Sequence, residues 1–128
     1  MAVAEFREAV RRFLRRSERI ARQSGLTPQR YSLLMMIKGA PDGVEQSTVT
    51  ELSERLQLAQ STVTELVHRA EEAGLVEREQ SQIDARVAHL RLTAEGERRL
   101  MLSFTALETE RAQLREAFSH FSGGVTVG

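Results

Sequence analysis

The chain has 128 residues, with 18 basic and 18 acidic side chains, 41% hydrophobic and 28% charged residues, and no cysteine. That length suits one domain with a real core. The absence of cysteine excludes disulfides and thiol redox sensing, and no run of 18 apolar residues offers a membrane span.

Charge is unevenly placed. Residues 1–40 hold nine basic and three acidic side chains, a net +6, residues 41–80 hold three and nine, a net −6, and the remainder balances at six each. The N-terminal stretch lacks the apolar segment and cleavage site of a secretory signal, so a cytoplasmic location without a membrane partner is expected.

Residues 3–22 read as an amphipathic helix. Phe6, Ala9, Val10, Phe13, Leu14, Ile20 and Ala21 line one face, and seven arginines fill much of the rest. A basic amphipathic helix can lie on a membrane or on nucleic acid, or its charges can simply be solvated. Ser24-Gly25-Leu26 breaks the pattern. Thr27 then caps a second helix with Pro28 at its first position. Tyr31, Leu33, Leu34, Met36 and Ile37 make this helix apolar nearly all round, so a central, buried place is expected. The methionines read as core filler. Ala40-Pro41-Asp42-Gly43 is a turn, and residues 46–49 can add a short edge strand.

A third helix is expected from Glu51, capped by Thr50, with Leu52 and Leu56 on its inner face. Only Gln57, Leu58 and Ala59 separate it from a fourth helix over residues 60–73. A connection that short makes two helices cross steeply, as in a helix-turn-helix. In the fourth helix Val63, Leu66, Val67, Ala70 and Ala73 form the inner stripe. Gln60, Ser61, Thr62, Thr64, Glu65, His68 and Arg69 face out. Short hydroxyl and amide side chains near a helix N-terminus suit phosphate and base-edge contacts in a major groove; the plainer reading is a solvated face.

Gly74 is placed to follow the C-cap. Residues 75–79 and 87–92 then read as two strands around a polar loop at residues 80–86. In that loop Arg86 can enter a narrow minor groove, and Asp84 can hold its guanidinium by a two-point pair; the alternative is an ordinary surface ion pair. Thr93 caps a last long helix that is expected to end near Phe121. Residues 123–128 read as a loose tail.

These residues carry a resemblance. Thr50-Glu51-Leu52, Gln60-Ser61-Thr62-Val63-Thr64, Gly74-Leu75-Val76-Glu77-Arg78, Asp84-x-Arg86 and Leu90-x-Leu92-Thr93-x-x-Gly96 stand in one order and spacing. Together they resemble the MarR family of bacterial transcription regulators, over roughly residues 25–100. The resemblance implies a mainly α fold with a small β-wing: a winged helix-turn-helix at residues 27–92, and dimerisation helices at residues 1–26 and 93–122. It implies an obligate homodimer on double-stranded DNA, with the fourth helix in the major groove and the wing in the minor groove. It makes Arg86 the wing contact, steadied by Asp84. It also implies a small aromatic or phenolic effector that releases DNA from a cleft between the dimer helices and the winged domain.

The chain departs from the family pattern in three places. Glu65 stands where a basic residue is common, Ala59 offers no side-chain cap, and the family's terminal helix is expected to be short or absent. The acidic segment 41–80 is awkward for a DNA reader, which leaves Arg55, Arg69, Arg78, Arg86 and Arg91 to supply local positive charge. No nucleophile motif, phosphate loop or metal-ligand spacing is present, so neither an enzyme nor a metal or cofactor site is expected. The expected function is a homodimeric repressor on a pseudo-palindromic operator. The alternative is a winged-helix dimer that has lost DNA binding and serves as a protein-interaction module.

Overall fold

The computed structural model describes residues 2–126. The helices are α1 (Ala2–Gln23), α2 (Pro28–Lys38), α3 (Val49–Leu56), α4 (Gln60–Glu72), α5 (Ala94–Ala106) and α6 (Glu108–Thr126), and the strands are β1 (Val76–Gln80) and β2 (Ala88–Leu92). The strands pair antiparallel, with Arg78 opposite Leu90 and Glu77 opposite Arg91. Among the described residues, helices α2–α4 and a two-stranded wing form the winged helix-turn-helix architecture expected from the sequence.

Local chemistry sets most boundaries. Thr27 is the N-cap of α2 and accepts from the Arg30 N–H at 3.1 Å, with Pro28 at the first position. Two helices end in the same way, α1 at Gly25 (φ 79°) and α4 at Gly74 (φ 75°). After α4, Leu75 N–H bonds the Ala70 carbonyl at 2.9 Å and Gly74 N–H bonds Glu71 at 3.0 Å. This is the Schellman arrangement, which needs a left-handed residue between its two bonds.

The core lies where α2, α3, α4 and the wing root meet. Leu33, Leu34, Ile37, Leu52, Val63, Val67, Leu75 and Leu90 are fully buried there. Leu100 and Leu107 continue it towards α5 and α6. The start of α5 is fastened to the wing root. Thr93 accepts from the Gly96 N–H at 3.0 Å and donates its hydroxyl to the Gly74 carbonyl at 2.6 Å, and Thr93 N–H bonds the Leu75 carbonyl at 3.0 Å. Gly96 lies so close to Leu75 that a Cβ there would clash with the Leu75 carbonyl oxygen and lie 3.0 Å from its carbon. Further along α5, the Ser103 hydroxyl meets that of Ser24 at 2.9 Å.

Five expectations need correction. The cap of α3 is Thr48, not Thr50. Thr48 and Glu51 form a reciprocal box, with Thr48 N–H to the Glu51 carboxylate at 2.9 Å and Glu51 N–H to the Thr48 hydroxyl at 3.2 Å. Two further hydrogen-bonded residues gain more than the later start would. The expected edge strand reduces to one bridge, Ser47 with Leu90. Ala73 is the exposed C-cap of α4 rather than part of its inner stripe.

The last long helix is two helices. Leu107, fully buried, interrupts it at φ −98° and ψ 12°. No proline or glycine causes the break. It lets Leu107 stay in the core while α6 turns onto α1. Arg111 occupies the break, donating to the Phe104 carbonyl with its guanidinium 3.5 Å from the centre of the Phe104 ring. Residues 123–126 continue α6 instead of forming a loose tail; residues 127–128 lie outside the described residues.

Packing of α1 on α6 occurs within the chain. Phe6 stacks on Phe121 with ring centres 4.9 Å apart and meets Phe118 at 6.0 Å, and Arg16 pairs with Glu110 at 3.2 Å. No described helix is long and apolar enough to cross a membrane.

Candidate nucleic-acid interface

The turn between α3 and α4 fixes the second helix against the first. Gln57 adopts the left-handed conformation (φ 58°), and Leu58 N–H reaches back to the Ser53 carbonyl at 3.1 Å. Ser53 donates its hydroxyl to the Leu58 carbonyl at 2.9 Å, and the Gln57 amide donates to Glu54 at 2.8 Å. Two side chains and one backbone bond therefore replace the hydrogen bonds that a tight turn loses. Ala59 caps α4 without a side-chain bond.

Burying Val63, Leu66, Val67 and Ala70 turns the rest of α4 outward. Gln60, Ser61, Thr62, Thr64, Glu65, His68 and Arg69 are all exposed on it. They are not all free. Gln60 donates to the Thr50 hydroxyl at 3.2 Å, which ties the first turn of α4 to α3. Arg69 donates to Glu65 at 3.0 Å, and His68 meets Glu72 at 2.8 Å.

The wing tip is ordered by its own side chains. The Ser81 hydroxyl accepts from the Ile83 and Asp84 N–H groups at 3.2 and 3.3 Å. Asp84 accepts from the Arg86 backbone at 3.0 Å and from its guanidinium at 3.2 and 3.4 Å. The expected two-point pair is therefore formed. The guanidinium first, then the backbone N–H, hold the Asp84 carboxyl below the usual carboxylate range. Arg86 is the most projecting cation of the wing, 91% exposed. Beside it Ile83 is 98% exposed, a residue the sequence reading passed over. Ser81 was passed over as well; a serine two and three residues ahead of the N–H groups it accepts from was the available signal.

The other expected cations are occupied. Arg55 donates to the Met36 carbonyl at 2.6 Å and to Gly39 at 3.1 Å, so it closes the C-terminus of α2 instead of facing a ligand. Arg78 forms a two-point pair with Glu71, which raises its pKa and links β1 to α4. Arg91 lies 3.0 Å from Glu79 and 3.9 Å from Glu77 across the hairpin. Register places Arg91 opposite Glu77, so this pair follows from the strand pairing. The surface made by α4 and the wing thus combines hydroxyls and amides with arginines that each hold a carboxylate.

Comparison with known proteins gives a consistent picture. The family model of the MarR family matches residues 24–87, half of the chain. No curated protein matches significantly. Among solved structures, a MarR family transcription regulator is 23% identical over 97% of this chain and 80% of its own, with a TM-score of 0.75. The Mycobacterium tuberculosis transcriptional regulator MOSR, in complex with DNA, is 28% identical over 89% of this chain and 80% of its own, with a TM-score of 0.64. A mutant of Escherichia coli MarR complexed with operator DNA is 17% identical over 94% and 79%, with a TM-score of 0.68.

Proposed function

Because the chain belongs to the MarR family, we propose that it is a DNA-binding transcription regulator that represses as a homodimer on a pseudo-palindromic operator. The observation that carries this reading is the pairing of two surfaces. One is the exposed polar face of α4, from Gln60 to Arg69. The other is a wing tip whose ordered loop projects Arg86. Helix hydroxyls and amides suit a major groove, and a projecting arginine suits the negative potential of a minor groove. Solved relatives described as complexes with DNA support it. A two-fold dimer sets half-sites about 10 bp apart.

Exposed apolar side chains on the arms support the homodimer: Val3 and Leu14 on α1, Met101 and Leu102 on α5, and Phe118 on α6. Release by a small aromatic effector is part of the proposal. A cavity of about 530 Å³ between α1 and α6, lined by Phe6, Phe13, Leu114 and Phe121, is of a size to take one. It does not lie against the winged domain, where the cleft was expected.

The test is fluorescence anisotropy with duplex from upstream of the coding region and with scrambled duplex, at two salt concentrations. Preferential, salt-sensitive binding that Arg86→Ala weakens is expected. A second reading, an interaction module without DNA binding, is favoured by the carboxylate held at every arginine of α4 and the wing. Absence of binding to either duplex at low salt would decide for it.

A further inference from the structure

All four arginines on α4 and the wing are held by carboxylates of the same surface. Arg69 meets Glu65 at 3.0 Å, Arg78 meets Glu71 at 2.9 Å, Arg86 meets Asp84 at 3.2 Å and Arg91 meets Glu79 at 3.0 Å. The paired side chains are between 28% and 91% exposed, so the pairs stand in water and exchange partners readily. Elsewhere pairing is mixed: Arg98 and Arg99 on α5 share Glu95, and Arg12 and Arg16 on α1 are paired, whereas Arg7, Arg11, Arg15, Arg19 and Arg22 on α1 make no ion pair among the described residues.

A carboxylate offers a guanidinium the same planar, two-oxygen fork that a phosphate offers. It is therefore the group that a DNA backbone must displace. We propose that Glu65, Glu71 and Glu79 are built-in competitors of phosphate, which keep Arg69, Arg78 and Arg91 neutralised until a duplex is aligned closely enough to replace them. The inference rests on the DNA-binding reading above. Non-specific affinity comes from cations that meet phosphates anywhere along the duplex. Guarded arginines contribute little there. At a fitting site, base and wing contacts set the register, and the arginines change partner together. The acidic character of the reading surface then becomes a device for discrimination. Asp84 guards Arg86 in the same way but also positions it, so it is left out of the test.

The experiment uses the full chain and the isosteric variants Glu65→Gln, Glu79→Gln and their double. Glu71→Gln is measured separately, because Glu71 also ties α4 to β1. Anisotropy with upstream and scrambled duplex is followed over a salt series, with thermal unfolding as the folding control. Affinity for scrambled duplex should rise about two- to fivefold for each carboxylate removed. The slope of log affinity against log salt should steepen by up to about 0.9 for each arginine freed. The preference for upstream duplex should shrink. A merely structural role for the carboxylates would move unfolding and leave the salt slope alone. If the wild type binds and Arg86→Ala weakens it, yet the carboxylate variants keep the wild-type slope and scrambled affinity, the inference is overturned and the DNA-binding reading stands. A Glu65→Gln that weakens only the upstream duplex would mark Glu65 as a reader of cytosine and overturn its guarding role. No binding by wild type or variants at the lowest salt would defeat the DNA-binding reading and the inference with it.

Discussion

Replacing Gly96 by alanine separates helix propensity from close packing. Gly96 sits in the first turn of α5, where its N–H bonds the Thr93 cap. Propensity alone would make the substitution stabilising by about 1 kcal/mol. The structure predicts the opposite sign. A Cβ at this position would clash with the Leu75 carbonyl oxygen and lie 3.3 Å from the Leu75 Cα. The obstacle is backbone and cannot rotate away. Leu75 cannot retreat either: it is fully buried, its N–H bonds Ala70 and its carbonyl accepts from Thr93. Forcing a methyl into a packed site costs about 1–3 kcal/mol, more when the neighbour is held at both ends. A net loss of about 2 kcal/mol is therefore expected, a large share of the roughly 5–15 kcal/mol typical of a domain. Urea unfolding should show a lower midpoint at an unchanged slope. Gly74→Ala is the matched comparison. It has open space around it but a φ of 75°, so it should lose about 1–2 kcal/mol through backbone conformation. Asparagine tolerates that conformation and should recover much of the loss at position 74 and none at position 96. A Gly96→Ala protein as stable as wild type, or asparagine rescuing both sites alike, would refute the close-approach argument.

Two other outcomes can be checked in further variants. Thr48→Ala should cost about 1 kcal/mol in urea unfolding, by loss of the N-cap bond, and Thr50→Ala should cost less; the reverse order would show that the helix begins at Glu51 after all. The Arg98 guanidinium, then that of Arg99, hold the Glu95 carboxyl down to about 2, against an ordinary 4.5. A depressed carboxylate pKa contributes stability that is present above pH 4.5 and is lost as pH falls towards 2. An NMR titration should therefore find the Glu95 midpoint near 2, and Glu95→Gln should lessen the acid-side decline; a midpoint near 4.5 would exclude the double pairing in solution.

The elements that local chemistry specifies could be read from the chain. Thr27-Pro28 opens α2, Gly74 closes α4, and the spacing of Val63, Leu66, Val67 and Ala70 turns the polar face of α4 outward. Asp84 and Arg86, two residues apart in a loop, find each other as their spacing suggests. At α3 the signal is present in the sequence, since Thr48-x-x-Glu51 is a stronger capping pattern than Thr50 alone. Other features were beyond sequence reading because their partners are distant. Arg55 reaches carbonyls 16 and 19 residues away. The break at Leu107 has no local breaker and exists because a buried leucine and the turn of α6 onto α1 demand it. The pairing of Arg78 with Glu71 depends on how β1 leaves α4, which periodicity does not specify. Exposure of Ile83 at the wing tip likewise follows from the loop's path and not from its composition.

The fastening of α5 to the wing root has a mechanical consequence. Within four residues, Thr93 and Gly96 make two hydrogen bonds and one backbone contact to Gly74 and Leu75. A joint that tight has no play, so α5 cannot swing at its first turn without carrying the reading head with it. The shaft and the head tilt as one piece. In the proposed homodimer, any change in reach between the two copies must be taken up farther along the shaft, and the next joint is the interruption at Leu107, where the helix already bends and Arg111 braces it.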